Sequence, residues 1–310
     1  MNIGSATQTK RRKITGKKVK IELYLMLLPA VVLTAIFVYG PMGGLITAFQ
    51  DYKPYHGIIH SPWVGWTNFK MLFEYPDSVQ VIWNTFRIAV LKLFFGVVSS
   101  LAFALLINEV KNRFLQTSVQ TLVFLPHFIS WVVLGGVFIQ LLNPEYGLVN
   151  QLIKWMGFEP IFFLGDNNWF VSTVVLTEVW KEFGYGSIIF LAALAGINPA
   201  LYEAAQIDGA SKLKQMLNIT LPSLVPTICV VLTISLGSVL NAGFDQIFNL
   251  YNPLVYESGD IIDTYAYRIG LIGGNFSFGT AIGLFKSVVG LILIVGGYRL
   301  AYKIAGYKIF

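Results

Sequence analysis

The stretch EAAQIDGASKLKQMLNITLP occupies residues 203–222, between two long apolar runs. Just before it, Asn198 and the proline that follows read as an N-cap and a first-turn residue, which predicts the start of a helix. Gly209 can end that helix, because glycine accepts the left-handed backbone found at helix ends. Ser211 can then cap a second helix, with the final proline of the stretch as the next boundary. The sequence therefore predicts a short helix–turn–helix, residues 198–222, which we call the knuckle.

The chain around the knuckle is strongly apolar. Of its 310 residues, 55% are hydrophobic and only 12% are charged, a balance unlike that of a soluble domain. A bilayer core about 30 Å thick needs about 20 apolar residues per helix. Six runs are long enough to cross it, namely residues 23–49, 88–107, 119–142, 169–197, 225–244 and 281–301. We therefore expect an all-α polytopic membrane protein with six transmembrane helices, in which a basic tail over residues 1–21 precedes a transmembrane domain over residues 22–310.

An even number of spans places both termini on one side of the membrane, and the basic residues indicate which side. If the amino terminus is inside, the inner segments hold fourteen of the 22 lysine and arginine residues and the outer loops hold four. The positive-inside rule then places both termini and the knuckle in the cytoplasm. Seven of these charges lie in the first twenty residues, where they can contact anionic lipid headgroups. The net charge of +6 therefore needs no nucleic-acid partner.

The residues of the knuckle also carry a resemblance to a known family. The motif begins with Glu203, Ala204 and Ala205, continues with Gly209, and ends with Ile219, Leu221 and Pro222. In this order and spacing it resembles the EAA loop of the permease subunits of type I ATP-binding-cassette (ABC) importers. Asp208 and Ala210, on either side of the glycine, are similar to the carbohydrate-uptake branch. Shorter similarities extend over nearly the whole chain after the basic tail, such as YGPM at Tyr39, WVGWTNF at Trp63 and FLPHFIS at Phe124.

In that family the EAA loop is the coupling helix, which sits in a cleft of a separate cytoplasmic ATPase. The resemblance implies that Glu203 contacts this ATPase, that Gly209 permits the turn and close packing, and that the two alanines keep the surface small. It also implies that the chain is not itself an enzyme and holds no cofactor, since the partner ATPase uses ATP and Mg²⁺. The implied partners are a second permease subunit of different sequence, two ATPase subunits, an extracellular solute-binding protein and membrane lipid. The implied substrate is a carbohydrate, an oligosaccharide in particular, imported across the cytoplasmic (inner) membrane of a bacterium.

Ionisable residues inside a membrane-length run are costly and usually mark function. The fourth run contains Glu178, Lys181 and Glu182. Lys181 lies three residues from Glu178, so these two can form an ion pair within the helix. Glu182 then has no partner on its own helix. With Tyr185 and its two flanking glycines, Glu182 is a candidate for lining a water-filled translocation path. The alternative is a salt bridge from Glu182 to Arg87, Lys92 or Lys286.

The end of the fifth run carries a second candidate for the substrate path. Asn241, Phe244, Asp245 and Phe248 recur at helical offsets of three, four and seven residues. If the helix continues there, two polar groups and two aromatic rings share one face. Such a face suits a sugar, because the hydroxyls need hydrogen-bond partners and the apolar side of the sugar ring packs on an aromatic plane. The alternative is that this stripe packs against the partner subunit.

Two of the loops expected outside contain short amphipathic segments, around residues 68–73 and 147–158. Both segments can lie along the membrane surface. Their aromatic residues favour interfacial anchoring, and contact with an external delivery protein is the alternative.

Other classes of function find less support in the sequence. The nearest match to a phosphate-binding loop, at Gly279, lacks the GxxxxGK[ST] spacing. His56 and His60 have no cysteine or carboxylate cluster to complete a metal site, and the sequence offers no nucleophile for an integral-membrane enzyme. Two alternatives remain, an ABC permease for a non-sugar solute and an ion-coupled secondary transporter that uses Glu182 and Asp245.

Overall fold

The computed structural model describes residues 21–305 of the chain. Most of the basic tail, residues 1–20, lies outside the described range, as do residues 306–310. Within that range every regular element is a helix, and extended residues pair there in an isolated bridge between Gln50 and Trp63. The all-α class predicted from the sequence is therefore confirmed for these residues.

The chain forms two compact units that divide after Leu45. In the first unit, α1 (Ile21–Thr34) contains Pro29 and runs into a π-helical segment, Ala35–Tyr39. With the short helical segments that follow, these residues belong to an apolar helical stretch, Leu23–Phe49, that is long enough to cross a bilayer. This stretch coincides with the first run that the sequence predicts as a span.

The second unit is organised around two long helices. In chain order its helices include α2 (Thr67–Glu74), α3 (Pro76–Asn108), α4 (Arg113–Phe124), α5 (Trp131–Leu141), α6 (Leu148–Trp155), α7 (Asn167–Ala195), α8 (Pro199–Ile207), α9 (Lys212–Gln215), α10 (Leu221–Ser238), α11 (Phe244–Leu250) and α12 (Phe276–Ala305). Its most extensive helix–helix contact is between α3 and α7. Ile88 and Ala89 of α3 lie in one buried cluster with Phe170 and Val174 of α7. Burial of these apolar side chains makes the α3–α7 pair the frame that holds the other elements.

Four segments of the described range are long and apolar enough to cross a membrane, and the number rises to six if two bent pairs each count as one span. The first pair is α4, with the turn after it, and α5, which bend by 101°; the second is α7 and α8, which bend by 69°. The third run, predicted as one span over 119–142, is therefore broken. The reason is local, because Ile129 and Ser130 are extended and Ser130 caps α5 as the start of a new helix.

The fifth run breaks before its predicted end. After α10 a 3₁₀ turn follows over Val239–Asn241, and α11 is a separate helix. Ala242 and Gly243 lie between them with left-handed φ values of 42° and 86°. The chain therefore changes direction there. The predicted stripe does not form one helical face, because Asn241 precedes the break whereas Phe244, Asp245 and Phe248 follow it.

Both predicted amphipathic segments form helices. α2 includes residues 68–73, and α6 lies within residues 147–158. The buried Asn150 fixes α6, because its amide donates to three backbone carbonyls and its oxygen accepts the N–H of Ile161 at 2.7 Å. Leu152 and Trp155 on the same helix stay exposed, as expected for a surface segment.

Candidate functional site

The knuckle forms a helix–turn–helix at the positions that the sequence predicts. Asn198 caps α8, since its side-chain oxygen accepts a hydrogen bond from a backbone N–H in the first turn at 3.0 Å. At the other end of α8 the Ala210 N–H donates to the Ala205 carbonyl (2.8 Å), and the Gly209 N–H donates to the Gln206 carbonyl (3.0 Å). These two bonds, with a φ of +75° at Gly209, make a Schellman turn. The turn satisfies carbonyls at the end of α8 and depends on the glycine.

The second helix of the knuckle is tied to the first. Ser211 caps α9 by accepting a backbone N–H of its first turn at 3.4 Å. The buried side chain of Gln215 donates to the Ala210 carbonyl in the turn at 2.9 Å. The hydroxyls of Tyr202 and Thr220 lie 2.9 Å apart and connect α8 to the segment after α9. These contacts hold the two helices of the knuckle together as one unit.

The knuckle continues without interruption into the helix that follows it. A π-helical segment, Met216–Thr220, joins α9 to α10, so that Lys212–Gly237 is one continuous helical stretch. The predicted boundary at Pro222 is the change from the π-helical segment to α10, and the chain stays helical across it. Pro222 lies in the first turn of α10, where the change from π-helical to α-helical hydrogen bonding accommodates its missing N–H. A movement of the knuckle would reach α10 directly.

Most residues of the motif lie at the surface of the knuckle. Those that are exposed are Glu203, Ala204, Asp208, Gly209 and Pro222, and those that are half-buried are Ala205, Ala210, Ile219 and Leu221. Four large apolar side chains that the motif does not include are also exposed, and the most exposed are Ile207 at 87% and Leu213 at 60%, followed by Leu217 and Leu201. Exposed apolar residues on a polar projection are typical of a docking surface. The ATPase-coupling roles of the motif residues remain predictions.

A polar cluster on α7 joins both predicted path residues to His127, which the sequence does not connect to them. The Lys181 ammonium donates to one Glu182 oxygen (2.7 Å) and to the His127 carbonyl (2.9 Å). The other Glu182 oxygen lies 2.7 Å from Nδ1 of His127, whose ring stacks on Tyr185 with centroids 3.8 Å apart. The predicted pairing of Lys181 with Glu178 is wrong, because the chain around His127 folds against α7 and offers Lys181 a carbonyl beside Glu182.

Glu178 faces Lys92 of α3, one of the alternative partners considered for Glu182. Its carboxylate lies 3.9 Å from the Lys92 ammonium. The same ammonium donates to the Ala242 carbonyl at the break (2.7 Å) and to the side-chain oxygen of Gln246 in α11. Gln246 is fully buried, and its amide donates to two acceptors on α7, each at 2.8 Å. We call Lys92, Glu178, Ala242 and Gln246 the break clamp, since they hold the end of the fifth run to α3 and α7.

Glu182 and Tyr185 line a cavity of about 410 Å³ between α3, α7 and α10. The polar side chains that line it with them are Lys92, Ser100 and Ser235. The two residues that the sequence assigns to a path on α7 are thus brought to one cavity. Their role in translocation stays a prediction.

The predicted stripe is divided into separate parts. Asn241 lines another cavity, of about 510 Å³, beside the ion pair between Asp263 and Lys286. Phe244 and Phe248 stack on each other with centroids 5.3 Å apart. Asp245 is exposed and joins neither group. The structure thus separates a polar part of the stripe from an aromatic part.

Asp260 anchors the loop between α11 and α12. Its side chain is 1% exposed, accepts a hydrogen bond from Thr264 at 2.6 Å and pairs with Arg268. Burial raises the pKa of the Asp260 carboxyl, although the hydrogen bonds from Thr264 and Arg268 act in the opposite direction. Asn84, near the start of α3, donates to the Asp260 carbonyl at 3.2 Å. The loop is thereby attached to one end of α3.

The loop, the break clamp, the cavity and the knuckle lie in this order along α3. From its first turns to its end it carries Asn84 beside the loop, Lys92 in the break clamp and Ser100 at the cavity. Just after its end, Glu109 lies 3.3 Å from Lys212 of the knuckle in an exposed ion pair. The knuckle and the loop therefore lie at opposite ends of α3, with the cavity between them.

Comparison with known proteins identifies the family. Residues 93–304 match the family described as binding-protein-dependent transport system inner membrane component. The chain is 43% identical over 281 residues to Protein LplB of Bacillus subtilis (strain 168), covering 91% of this chain and 88% of LplB. It is 42% identical over 295 residues to YteP of the same organism, a polygalacturonan/rhamnogalacturonan transport system permease protein, covering 95% and 92%.

The chain is also similar in fold to a solved structure. It is a crystal structure of a bacterial alginate ABC transporter in complex with an alginate pentasaccharide-bound periplasmic protein. One of its chains matches with a TM-score of 0.85 at 40% identity, covering 93% of this chain and 96% of that one. These similarities confirm the expected ABC permease fold and the expectation of a transport subunit as opposed to an enzyme. The chain belongs to the family of inner-membrane components of binding-protein-dependent transport systems.

Proposed function

We propose that the chain is the permease subunit of an ATP-driven ABC importer and that it translocates a carbohydrate, an oligosaccharide in particular, across the cytoplasmic membrane. The observation that carries the proposal is the knuckle, an exposed helix–turn–helix with the EAA order that is joined directly to the helices around the cavity. The names of two similar proteins support the substrate class, because one is a polygalacturonan/rhamnogalacturonan permease and the other an alginate transporter.

The topology that fits this proposal has six spans, with both termini and the knuckle in the cytoplasm. Counting each bent pair as one span gives six. The excess of lysine and arginine on the segments that would then lie inside supports the orientation. In this arrangement α3 begins at the outer surface and ends at the inner one. The loop anchored by Asp260 is then outside and the knuckle inside.

The knuckle gives this subunit a docking site for a cytoplasmic ATPase. Glu203 and the exposed Ile207 and Leu213 contact the ATPase, and the small alanines of the motif allow a close fit. Two such ATPase subunits use ATP and Mg²⁺, and this chain binds no cofactor. A second permease subunit of different sequence completes the path within the lipid bilayer. An extracellular solute-binding protein delivers the sugar, which the complex of the similar alginate transporter with a periplasmic protein supports.

Coupling in this proposal is mechanical. ATP closes the ATPase dimer, the knuckle moves with it, and the spans change from inward-facing to outward-facing around the sugar. The continuous helix Lys212–Gly237 transmits this movement to the cavity, which Val231 and Ser235 line. Beyond its far end the chain changes direction at Ala242 and Gly243, and α11 is bound to α7.

The function is tested by purifying the chain from native membranes and reconstituting the complex into liposomes. We expect a second permease chain, an ATPase and a binding protein to copurify. Oligogalacturonides or alginate oligosaccharides should enter the liposomes only when the ATPase side receives ATP, and a proton uncoupler should leave the rate unchanged. Uptake that follows an ion gradient without ATP would instead support a secondary transporter. ATP-driven uptake of a non-sugar solute, with neither oligosaccharide imported, would overturn the substrate class.

Glu182→Gln is expected to lower the initial uptake rate by about tenfold, which corresponds to about 1.4 kcal/mol. The amide keeps the size of the side chain, but it leaves the buried Lys181 cation without its carboxylate partner and removes the negative charge that lines the cavity. The measurement is uptake per assembled complex, with the copurified ATPase as a check on assembly. Glu182→Asp, which keeps the charge, should retain more activity than Glu182→Gln. If the wild-type and Glu182→Gln complexes show equal uptake, Glu182 has no role in the translocation path.

A further inference from the structure

One face of α11 is aromatic and the opposite face is buried. Phe244 and Phe248 of α11 and Tyr251, the residue that follows the helix, recur at offsets of four and seven residues, which places them on one side. Gln246 and Leu250 on the other side, and Ile247 on the flank between the two sides, are fully or almost fully buried. The aromatic side is open by comparison, since Phe248 is 40% exposed and the other two rings are half-buried. The helix therefore presents a row of rings away from the protein interior.

The row continues beyond α11. Adjacent ring centroids lie 5.3 Å apart for Phe244 and Phe248, 6.2 Å for Phe248 and Tyr251, and 5.2 Å for Tyr251 and Tyr256. Tyr267 meets Phe248 edge-on at 5.1 Å from the side. Of these residues, the sequence alone predicts only the two phenylalanines as part of the substrate path. We call Phe244, Phe248, Tyr251, Tyr256 and Tyr267 the aromatic ladder.

The ladder is held in place at both ends. At the first end the break clamp fixes Ala242 and Gln246 on either side of Phe244. At the other end the Arg268 guanidinium lies 4.6 Å from the Tyr256 ring centroid and pairs with the buried Asp260. Rings that are fixed in this way lose little conformational freedom when a ligand stacks on them.

The ladder also has polar groups along its length. Three of its members are tyrosines, whose hydroxyls can both donate and accept hydrogen bonds. Burial raises the pKa of Tyr251 to about 12, so this hydroxyl keeps its proton at neutral pH. The hydroxyls of Tyr251 and Tyr256 bond to each other, and each keeps capacity for a further hydrogen bond to a sugar hydroxyl.

The position of the ladder connects it with the cavity. In the chain its residues follow the candidate span Lys212–Gly237 and precede the candidate span Phe276–Arg299. Lys92 lines the cavity and also donates to Ala242, two residues before Phe244. The ladder therefore begins beside the cavity and extends toward the end of α3 that lies away from the knuckle.

We propose that the aromatic ladder binds successive sugar rings of an oligosaccharide and guides the chain toward the cavity lined by Glu182 and Tyr185. This inference rests on the proposed function as a carbohydrate importer. The spacing between neighbouring rings is on the scale of one monosaccharide unit. Each sugar ring packs its apolar face against the outer edges and uncovered faces of these rings by dispersion, while its hydroxyls bond to the tyrosines and to water.

The test compares oligosaccharides of different length in the reconstituted complex. The probes are oligogalacturonides and alginate oligosaccharides, each as a series from disaccharide to pentasaccharide. For Phe248→Ala and Tyr256→Ala we expect pentasaccharide uptake to fall about tenfold and disaccharide uptake to fall less than about twofold, where tenfold is about 1.4 kcal/mol. A short sugar can use the remaining rings, whereas a long one must pass every position. Phe248→Trp, which keeps an aromatic plane, should recover much of the pentasaccharide uptake that Phe248→Ala loses.

Trp155→Ala is the matched control, because Trp155 is an aromatic residue of α6 that is 84% exposed and lies outside the ladder. It should not change the dependence on length. If uptake falls equally for all lengths together with the yield of assembled complex, the ladder is a packing surface for the partner subunit and the inference is overturned. Unchanged uptake in both alanine variants would overturn it as well. If the wild-type complex imports neither series, the proposed substrate class itself fails, which separates the two conclusions.

Discussion

We expect a Lys92→Met variant to be strongly destabilised and to lose most of its uptake. Methionine roughly keeps the length of the side chain, but it removes the charge opposite Glu178 and the donors that bind the Ala242 carbonyl and Gln246. These groups are largely buried, and removing one partner of a buried ion pair costs about 3–5 kcal/mol. The break between α10 and α11 would lose the donor that fixes its carbonyl, and the Glu178 carboxylate would remain without a compensating charge.

The measurement is the thermal unfolding midpoint of the purified complex at one fixed scan rate, because large proteins often unfold irreversibly, together with uptake per assembled complex. Lys92→Arg is the matched control, since it keeps a cation with several N–H donors and should retain more of both quantities. Adding Glu178→Gln to Lys92→Met should recover part of the loss, because the carboxylate then no longer remains unpaired. A Lys92→Met complex with the wild-type midpoint and uptake would show that other contacts hold the break.

The knuckle could be predicted from the sequence because its signals are local. Asn198 and Ser211 cap helices through bonds to residues two and three positions away. Gly209 supplies a backbone conformation that other residues adopt only at a cost. The apolar runs are local signals in the same sense, since their length alone indicates whether a helix can cross a bilayer. None of these inferences requires knowledge of which distant residues lie nearby.

The polar contacts of the cavity and the break clamp could not be predicted in this way. His127 and Glu182 are 55 residues apart in the sequence, and Lys92 and Gln246 are 154 apart. Helical spacing, the signal that favoured a pair between Glu178 and Lys181, describes only neighbours on one helix. In the structure Glu178 instead lies beside Lys92 of α3, and Lys181 donates to the His127 carbonyl. The end of α10 could not be predicted for the same reason. The Lys92 ammonium, which donates to the Ala242 carbonyl at the left-handed break, comes from a distant helix.

Gly209→Val is expected to abolish ATP-driven uptake while leaving membrane insertion intact. The φ of +75° at this position is a conformation that a β-branched residue adopts only with strain, about 1–3 kcal/mol, so valine should disrupt the Schellman turn. Loss of the turn separates α8 from α9 and displaces Glu203 and Ile207 relative to Leu213. The ATPase would then meet an altered surface. The measurements are uptake in liposomes, the amount of ATPase that copurifies, and the amount of the variant in the membrane fraction.

Gly209→Asn separates two reasons for having a glycine in the turn. Asparagine tolerates the left-handed conformation, and a Cβ added at Gly209 meets no atom of the described part of this chain within 4 Å. The asparagine variant should therefore keep the turn. If it also keeps uptake, the glycine serves the backbone conformation of the knuckle. If it folds but loses the ATPase, the glycine instead allows the ATPase to pack closely against the turn. Full uptake by Gly209→Val would contradict both explanations, because a knuckle that works without its turn cannot be the element that couples ATP to transport.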